Sequence, residues 1–185
     1  MNEVDFNPDN SKLLTCGNDE HAREWNISTG AENKDIDVYE PAIACRYSDN
    51  GFIGIVDDDP DQYLYNLGGT KIGKSSFGDE FNEIIFKPGS DHIFYGADKN
   101  KKVYIATYPD NTSTSISPSP SFELFTIDFA KDSGEFVTGG DQGYLHFYYA
   151  NNNSVLATFR RDNNDIYSLR YSSTSSYLLA AKQNG

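Results

Sequence analysis

The segment Gly68–Ser75, GGTKIGKS, has the spacing G-x-x-x-x-G-K-[ST] of a phosphate-binding loop. In a working site the backbone N–H groups wrap the phosphates, Lys74 reaches the outer phosphates and Ser75 binds Mg²⁺. That chemistry needs a buried strand before the loop and a helix after it. The following SSFGDEFNEIIFKPG is instead a β-branched and aromatic strand bracketed by Gly78 and Pro88. A second acidic cluster, Asp57, Asp58, Asp59 and Asp61, matches the first three ligand positions of a calcium loop. The position that needs glycine is Gln62, however, and the position that needs a bidentate Glu is Gly68. A solvated turn is the reading that remains.

No G-x-S-x-G elbow accompanies the scattered Ser, His and Asp residues. Cys16 and Cys45 have no zinc-site spacing. The residues therefore point to no catalytic group, no metal and no cofactor. Net charge is -13, with 15 Lys plus Arg against 28 Asp plus Glu. Phosphate contacts dominate nucleic-acid affinity, so this balance argues against a nucleic-acid partner and against an anionic membrane surface. The one basic run, Lys99–Lys102, sits at a turn. MNEVDFNPDN has neither a basic n-region nor an apolar h-region, and no apolar run nears the roughly 18 residues that span a bilayer. The expectation is a cytoplasmic chain with both cysteines reduced and the N-x-S/T triplets at Asn26, Asn111 and Asn152 unglycosylated.

The elements that position these residues are set by a repeat. VDFNPDNSKLL from Val4, CRYSDNGFIG from Cys45, IIFKPGSDHIF from Ile84, IDFAKDSGEFV from Ile127 and LRYSSTSSYLL from Leu169 share one pattern. An apolar residue leads to an aromatic, then a polar turn, then a second apolar run. The aromatic anchors Phe6, Tyr47, Phe86, Phe129 and Tyr171 are 41, 39, 43 and 42 residues apart. A period of about 40–45 fits a four-stranded sheet per repeat. Repeats are placed at about 1–40, 41–80, 81–122, 123–163 and, incomplete, 164–185. In the first, strands are expected at Glu3–Phe6, Lys12–Cys16, Ala22–Asn26 and Asn33–Val38. In the fourth they are expected at Phe125–Phe129, Glu135–Thr138, Tyr144–Tyr149 and Ser154–Phe159. Asn50-Gly51, Pro88-Gly89, Ser133-Gly134 and Gln142-Gly143 supply turns. No segment holds helical apolar spacing for three turns.

LLTCGNDEHAREWNISTG, Leu13 to Gly30, resembles the WD-repeat signature, with Thr15, Asp19, Trp25 and Asn26 in its places. FVTGGDQGYLHFYYANNNS follows the same line, with Tyr148 where Trp is expected. The resemblance covers essentially the whole chain and implies an all-β fold: WD-repeat β-propeller blades, four full four-stranded antiparallel blades plus a partial fifth, part of a larger or incomplete propeller. In the family a buried network links that Asp, the Thr, the Trp and a His from the loop before the inner strand. His21, His92 and His146 all lie elsewhere, so the propeller is divergent.

Neither terminus can complete the other's blade. Continuation in a longer protein, closure through self-association or another chain, and an open curved array all satisfy the count, and open edges invite association. The resemblance implies a non-catalytic platform for protein complexes, or a purely architectural part of a large assembly or filament, with nucleotide binding at Gly68–Ser75 the less favoured reading. Loop position marks Asp19, Arg23, Asp58, Asp61, Lys99, Asp141 and Gln142 as partner contacts.

Overall fold

The computed structural model describes residues 1–183 apart from 60, 77–79, 117–119 and 132–133, so Gly78 and Ser133 lie outside the described residues. Four antiparallel four-stranded meanders and one two-stranded sheet follow each other along the chain. Blade 1 is β1 (Glu3–Phe6), β2 (Lys12–Cys16), β3 (His21–Asn26) and β4 (Glu32–Asp37). Blade 2 is β5 (Ala42–Tyr47), β6 (Ile53–Asp57), β7 (Asp61–Tyr65) and β8 (Lys71–Ser76). Blade 3 is β9 (Phe81–Phe86), β10 (Ile93–Asp98), β11 (Val103–Thr107) and β12 (Thr112–Ser115). Blade 4 is β13 (Leu124–Phe129), β14 (Glu135–Gly140), β15 (Tyr144–Tyr149) and β16 (Val155–Arg160), and blade 5 is β17 (Ile166–Tyr171) and β18 (Leu178–Lys182). The only helical piece among the described residues is the single turn Asp141–Gly143, and no helix is long and apolar enough to cross a membrane.

The repeat sets the register. Phe6, Tyr47, Phe129 and Tyr171 end their inner strands opposite Leu13, Ile53, Phe136 and Leu178, the first or second residues of the second strands. The turns that reverse direction use left-handed backbone, as at Gly89 (φ 75°), which follows Pro88. Alternation then divides each sheet into two faces, and each blade packs one face against the next. Leu14, Ile36 and Val38 of blade 1 meet Cys45, Tyr47 and Tyr63 of blade 2. Val56 and Leu64 of blade 2 meet Phe81 and Ile84 of blade 3. Tyr95 and Val103 meet Ile127 and Phe136, and Val137 meets Ile166 and Leu169. Tyr95 stacks edge-on against Phe129 at 5.0 Å, and Phe136 lies parallel to Tyr148 at 4.7 Å, so aromatics carry much of this burial.

Gly68–Ser75 is the turn before β8 and most of that outer strand, and the next described element is strand β9 rather than a helix. Gly73 is required because the Tyr108 ring lies on its Cα: a Cβ built there would stand 2.0 Å from Cδ1 of that ring. Ser75 is buried, and Lys74 pairs with Asp61. The acidic run also departs from a simple solvated turn. Asp58 and Asp59 are exposed, but Asp57 and Asp61 fold inward. The Asp61 amide donates to Asp57 Oδ1 at 3.2 Å, and the Tyr63 hydroxyl donates to Asp61 Oδ2 at 3.3 Å. Burial pushes the Asp57 carboxyl up to about 6, against the hydrogen bond it accepts from the Asp61 amide. Among the described residues, no group of three or more His, Cys, Asp or Glu could hold a metal ion. Cys16 and Cys45 are free, buried thiols in contact across the first blade boundary.

Candidate interaction surface

A four-stranded meander sends its second-to-third turn and the connection to the next blade to the same end. Here the two are tied together by one recurring backbone bond. The amides of Asp58, Lys99, Asp141 and Gln183 donate to the carbonyls of Pro41, Glu80, Glu123 and Asp165, at 2.9, 3.1, 3.0 and 2.9 Å. Each acceptor precedes its blade's inner strand, and each donor follows the second. The result is a loop face whose turns are fixed at equivalent heights blade after blade.

The sequence-marked residues fall on or beside this face. Asp19 is exposed and pairs with Arg23 four residues on. Arg23 itself is only a quarter exposed, because Glu32 (3.8 Å) and Asp35 (3.7 Å) also approach its guanidinium. Asp58 is exposed, and Lys99 reaches back to Glu80. Gln142 sits at φ 58° at the tip of its turn, where its amide donates to Asp165 Oδ1 (3.0 Å) and its carbonyl accepts from Arg160 Nε (3.1 Å). Asp141 is half-buried beside it. Asp61 is the exception: it is buried against Tyr63 and Lys74 and presents little to a partner.

Sequence reasoning missed the inner-strand network. Residues one and three before the aromatic anchor are Glu3 and Asp5, Ala44 and Arg46, Glu83 and Ile85, Thr126 and Asp128, Ser168 and Arg170; Ala44 and Ile85 join apolar clusters and the rest are polar. Their acceptors cap the amide groups of another blade's inner strand. Cys45 N donates to Glu3 Oε2 (3.1 Å), Tyr47 N to Asp5 Oδ2 (2.8 Å) and Ile127 N to Glu83 Oε2 (3.0 Å). Leu169 N donates to Thr126 Oγ1 (3.0 Å) and Tyr171 N to Asp128 Oδ2 (2.6 Å). These bonds satisfy strand edges that would otherwise face the axis unpaired.

The charges close on themselves. Arg46 pairs with Glu3 and, at 2.5 Å, with Glu83. Arg170 of blade 5 pairs with Glu83 at 2.7 Å and stands 3.8 Å from Glu3 of blade 1. Burial pushes Glu3 up to about 7, outweighing Arg46, while Glu83, though fully enclosed, is held below the usual carboxylate range by Arg46 and Arg170. A 280 Å³ cavity opens here, lined by Asp5, Arg46, Asp49, Asp128, Lys131 and Arg170. The signal available in the sequence was a polar or charged residue at one or both of these positions on every inner strand.

Blade 1 carries a side-chain pair that joins two of its strands. Trp25 Nε1 donates to Thr15 Oγ1 at 2.9 Å, joining third strand to second. Asp19 turns to Arg23 instead of a histidine. His21 pairs with Asp35, His92 packs tilted against the Phe52 ring at 5.3 Å and His146 lies on β15, so none enters a loop before an inner strand. Residues 1–26 match the family model "WD domain, G-beta repeat". Among solved structures the chain is similar to the β-propeller domain of Cps50 (Swd1) from Myceliophteria thermophila, with a TM-score of 0.88 and 15% sequence identity.

The chain is built of β-propeller blades, and the first of them carries the WD-repeat match. The alignment covers 97% of this chain and 62% of that one, so the chain spans about three-fifths of the structure it matches. No curated protein matches the chain by sequence. The Trp–Thr contact is kept in the first WD blade; at the matching place in the fourth blade, Tyr148 stacks on Phe136.

Proposed function

We propose that these WD blades form a non-catalytic scaffold for protein–protein assembly, with the loop face as its contact surface. The observation that carries the reading is the recurring bond from Asp58, Lys99, Asp141 and Gln183 to the connection before each inner strand. It holds Asp58, Lys99, Asp141 and Gln142 at set intervals on rigid sheets, with exposed Asp19 at the matching turn of blade 1, which lowers the ordering cost of binding. The excess of carboxylates favours basic or neutral partners and speeds their encounter. WD-type blades in general support the coarse reading, and the choice of face rests on this chain's own geometry.

The test is a five-fold variant, Asp19→Lys, Asp58→Lys, Lys99→Glu, Asp141→Lys and Gln142→Lys, purified from cells beside the parent with quantitative mass spectrometry of bound proteins. At least one partner should fall tenfold or more. An unchanged partner set, with the fold intact by circular dichroism, would remove this face from consideration.

A further inference from the structure

The turn between the first two strands of blade 2 holds the one Asn-Gly pair among the described residues, Asn50-Gly51. The matching turn of blade 3 carries Pro88-Gly89 instead. A turn at this place lies at the opposite end of the blade from the loop face. An asparagine before a glycine has a chemistry of its own. The glycine has no side chain to hinder its backbone nitrogen, which can close on the neighbouring side-chain carbonyl.

In this fold both reacting groups are engaged. The Gly51 amide donates to the Ser48 carbonyl at 3.0 Å. Asn50 Nδ2 donates to Asp91 Oδ2 of blade 3 at 2.8 Å. The Asn50 amide and the Ser48 hydroxyl both donate to Asp91 Oδ1, at 3.3 and 2.5 Å. Asp49 returns the tie by accepting the Gly89 amide at 2.8 Å. Partial burial pushes the Asp91 carboxyl up, but the hydrogen bonds from Ser48 and Asn50 outweigh it and hold the carboxyl below the usual range. Blades 2 and 3 are thus clamped at this end through one ionised carboxylate. Each of the two blades has a packed neighbour on both sides, so the clamp does not depend on the ends of the array.

We propose that Asn50 is a deamidation site gated by Asp91, and that its conversion releases the clamp between blades 2 and 3. When the clamp opens, the Gly51 nitrogen gives up its proton and bonds to Asn50 Cγ. The Cγ–Nδ2 bond breaks, and ammonia leaves with that proton. Water then opens the cyclic imide at either carbonyl and leaves aspartate or isoaspartate. The net change is amide plus water to carboxylate plus ammonium, with no oxidation or reduction. Either product sets a carboxylate where Nδ2 had faced Asp91 Oδ2. An attraction becomes a repulsion of like charges, and the turn stays open.

The full chain and Asp91→Ala are incubated side by side at neutral pH. Conversion of Asn50 is followed by mass spectrometry of the proteolytic fragment that holds it, and isoaspartate by its enzymatic methylation. A free peptide of residues 46–53 supplies the rate without a clamp. The parent should convert far more slowly than the peptide. Asp91→Ala should convert about tenfold faster than the parent or more, since the bonds from Ser48 and Asn50 meet at one charged group and a single such bond commonly carries that factor. If Asp91→Ala does not fold, Asp91→Asn, uncharged and of the same shape, should still outpace the parent.

The second measurement tests the consequence. Asn50→Asp should lower the urea midpoint, and adding Asp91→Asn should recover part of the loss, because amide and carboxylate then face each other with roles exchanged. Conversion of the parent at the free-peptide rate would overturn the proposal. So would equal rates in the parent and the folded Asp91 variants, an unchanged midpoint in Asn50→Asp, or a loss there that Asp91→Asn leaves untouched.

Discussion

At the scale of single residues, the axis of the blades is where burial and charge oppose each other most. Glu3 and Glu83 share one guanidinium, that of Arg46, and Glu83 alone also has Arg170 within 3 Å. The carboxylate with two cations keeps its charge, and the other is pushed up to about 7 by burial. A carboxyl that holds its proton more tightly when folded stabilises the fold fully below the unfolded value near 4.5, and that stability is lost as pH rises through about 7. Glu3→Gln keeps an acceptor for the Cys45 amide and removes the titration. Urea unfolding at pH 5 and pH 7.5 should show the parent losing about 1–3 kcal/mol more than the variant over that interval. Equal losses would mean that Glu3 ionises as it does in the unfolded chain.

At the scale of elements, β8 shows how a phosphate-loop spacing arises in an outer strand with no phosphate to hold. Gly73 makes room for a tyrosine from blade 3, and Lys74 neutralises Asp61 of its own blade. Gly73→Ala should therefore cost about 1–3 kcal/mol through overpacking against the Tyr108 ring, and Tyr108→Ala in the same chain should return part of it. Lys74→Ala, half exposed at 51%, should cost under about 1 kcal/mol. Chemical denaturation of the single and double variants measures both, and additivity of Gly73→Ala with Tyr108→Ala would show that the two do not meet. The sequence carried the strand positions well, because four spacings of 39 to 43 and glycine-marked turns are local signals. It did not carry the inward turn of Asp57 and Asp61, since composition says only that carboxylates prefer water. The axial network was hidden for another reason: its bonds join residues 37 to 87 apart, and only the stacking of blades makes them neighbours.

At the scale of the whole molecule, each blade contacts chiefly the next, so stability is close to a sum of blade terms and boundary terms. The boundaries are unequal. Those between blades 1 and 2, 2 and 3, and 3 and 4 bury aromatic and branched residues from five or six strands each, whereas the last buries Val137, Ile166 and Leu169. Against this, Arg170 reaches Glu83 and so links blade 5 to blade 3 across the axis, and Tyr171 donates to Glu135 of blade 4 at 2.8 Å. An ion pair of an exposed guanidinium contributes little compared with buried apolar area, and Arg170 is 43% exposed. Packing therefore decides, and blade 5 should open before the rest. Native-state hydrogen exchange in low denaturant should show the amides of β17 and β18 exchanging through a local opening at lower free energy than those of β5 and β9, which lie between two packed boundaries. Exchange of β17 only through global unfolding would mean that the axial charges, not the boundary contacts, set the cooperativity of the array.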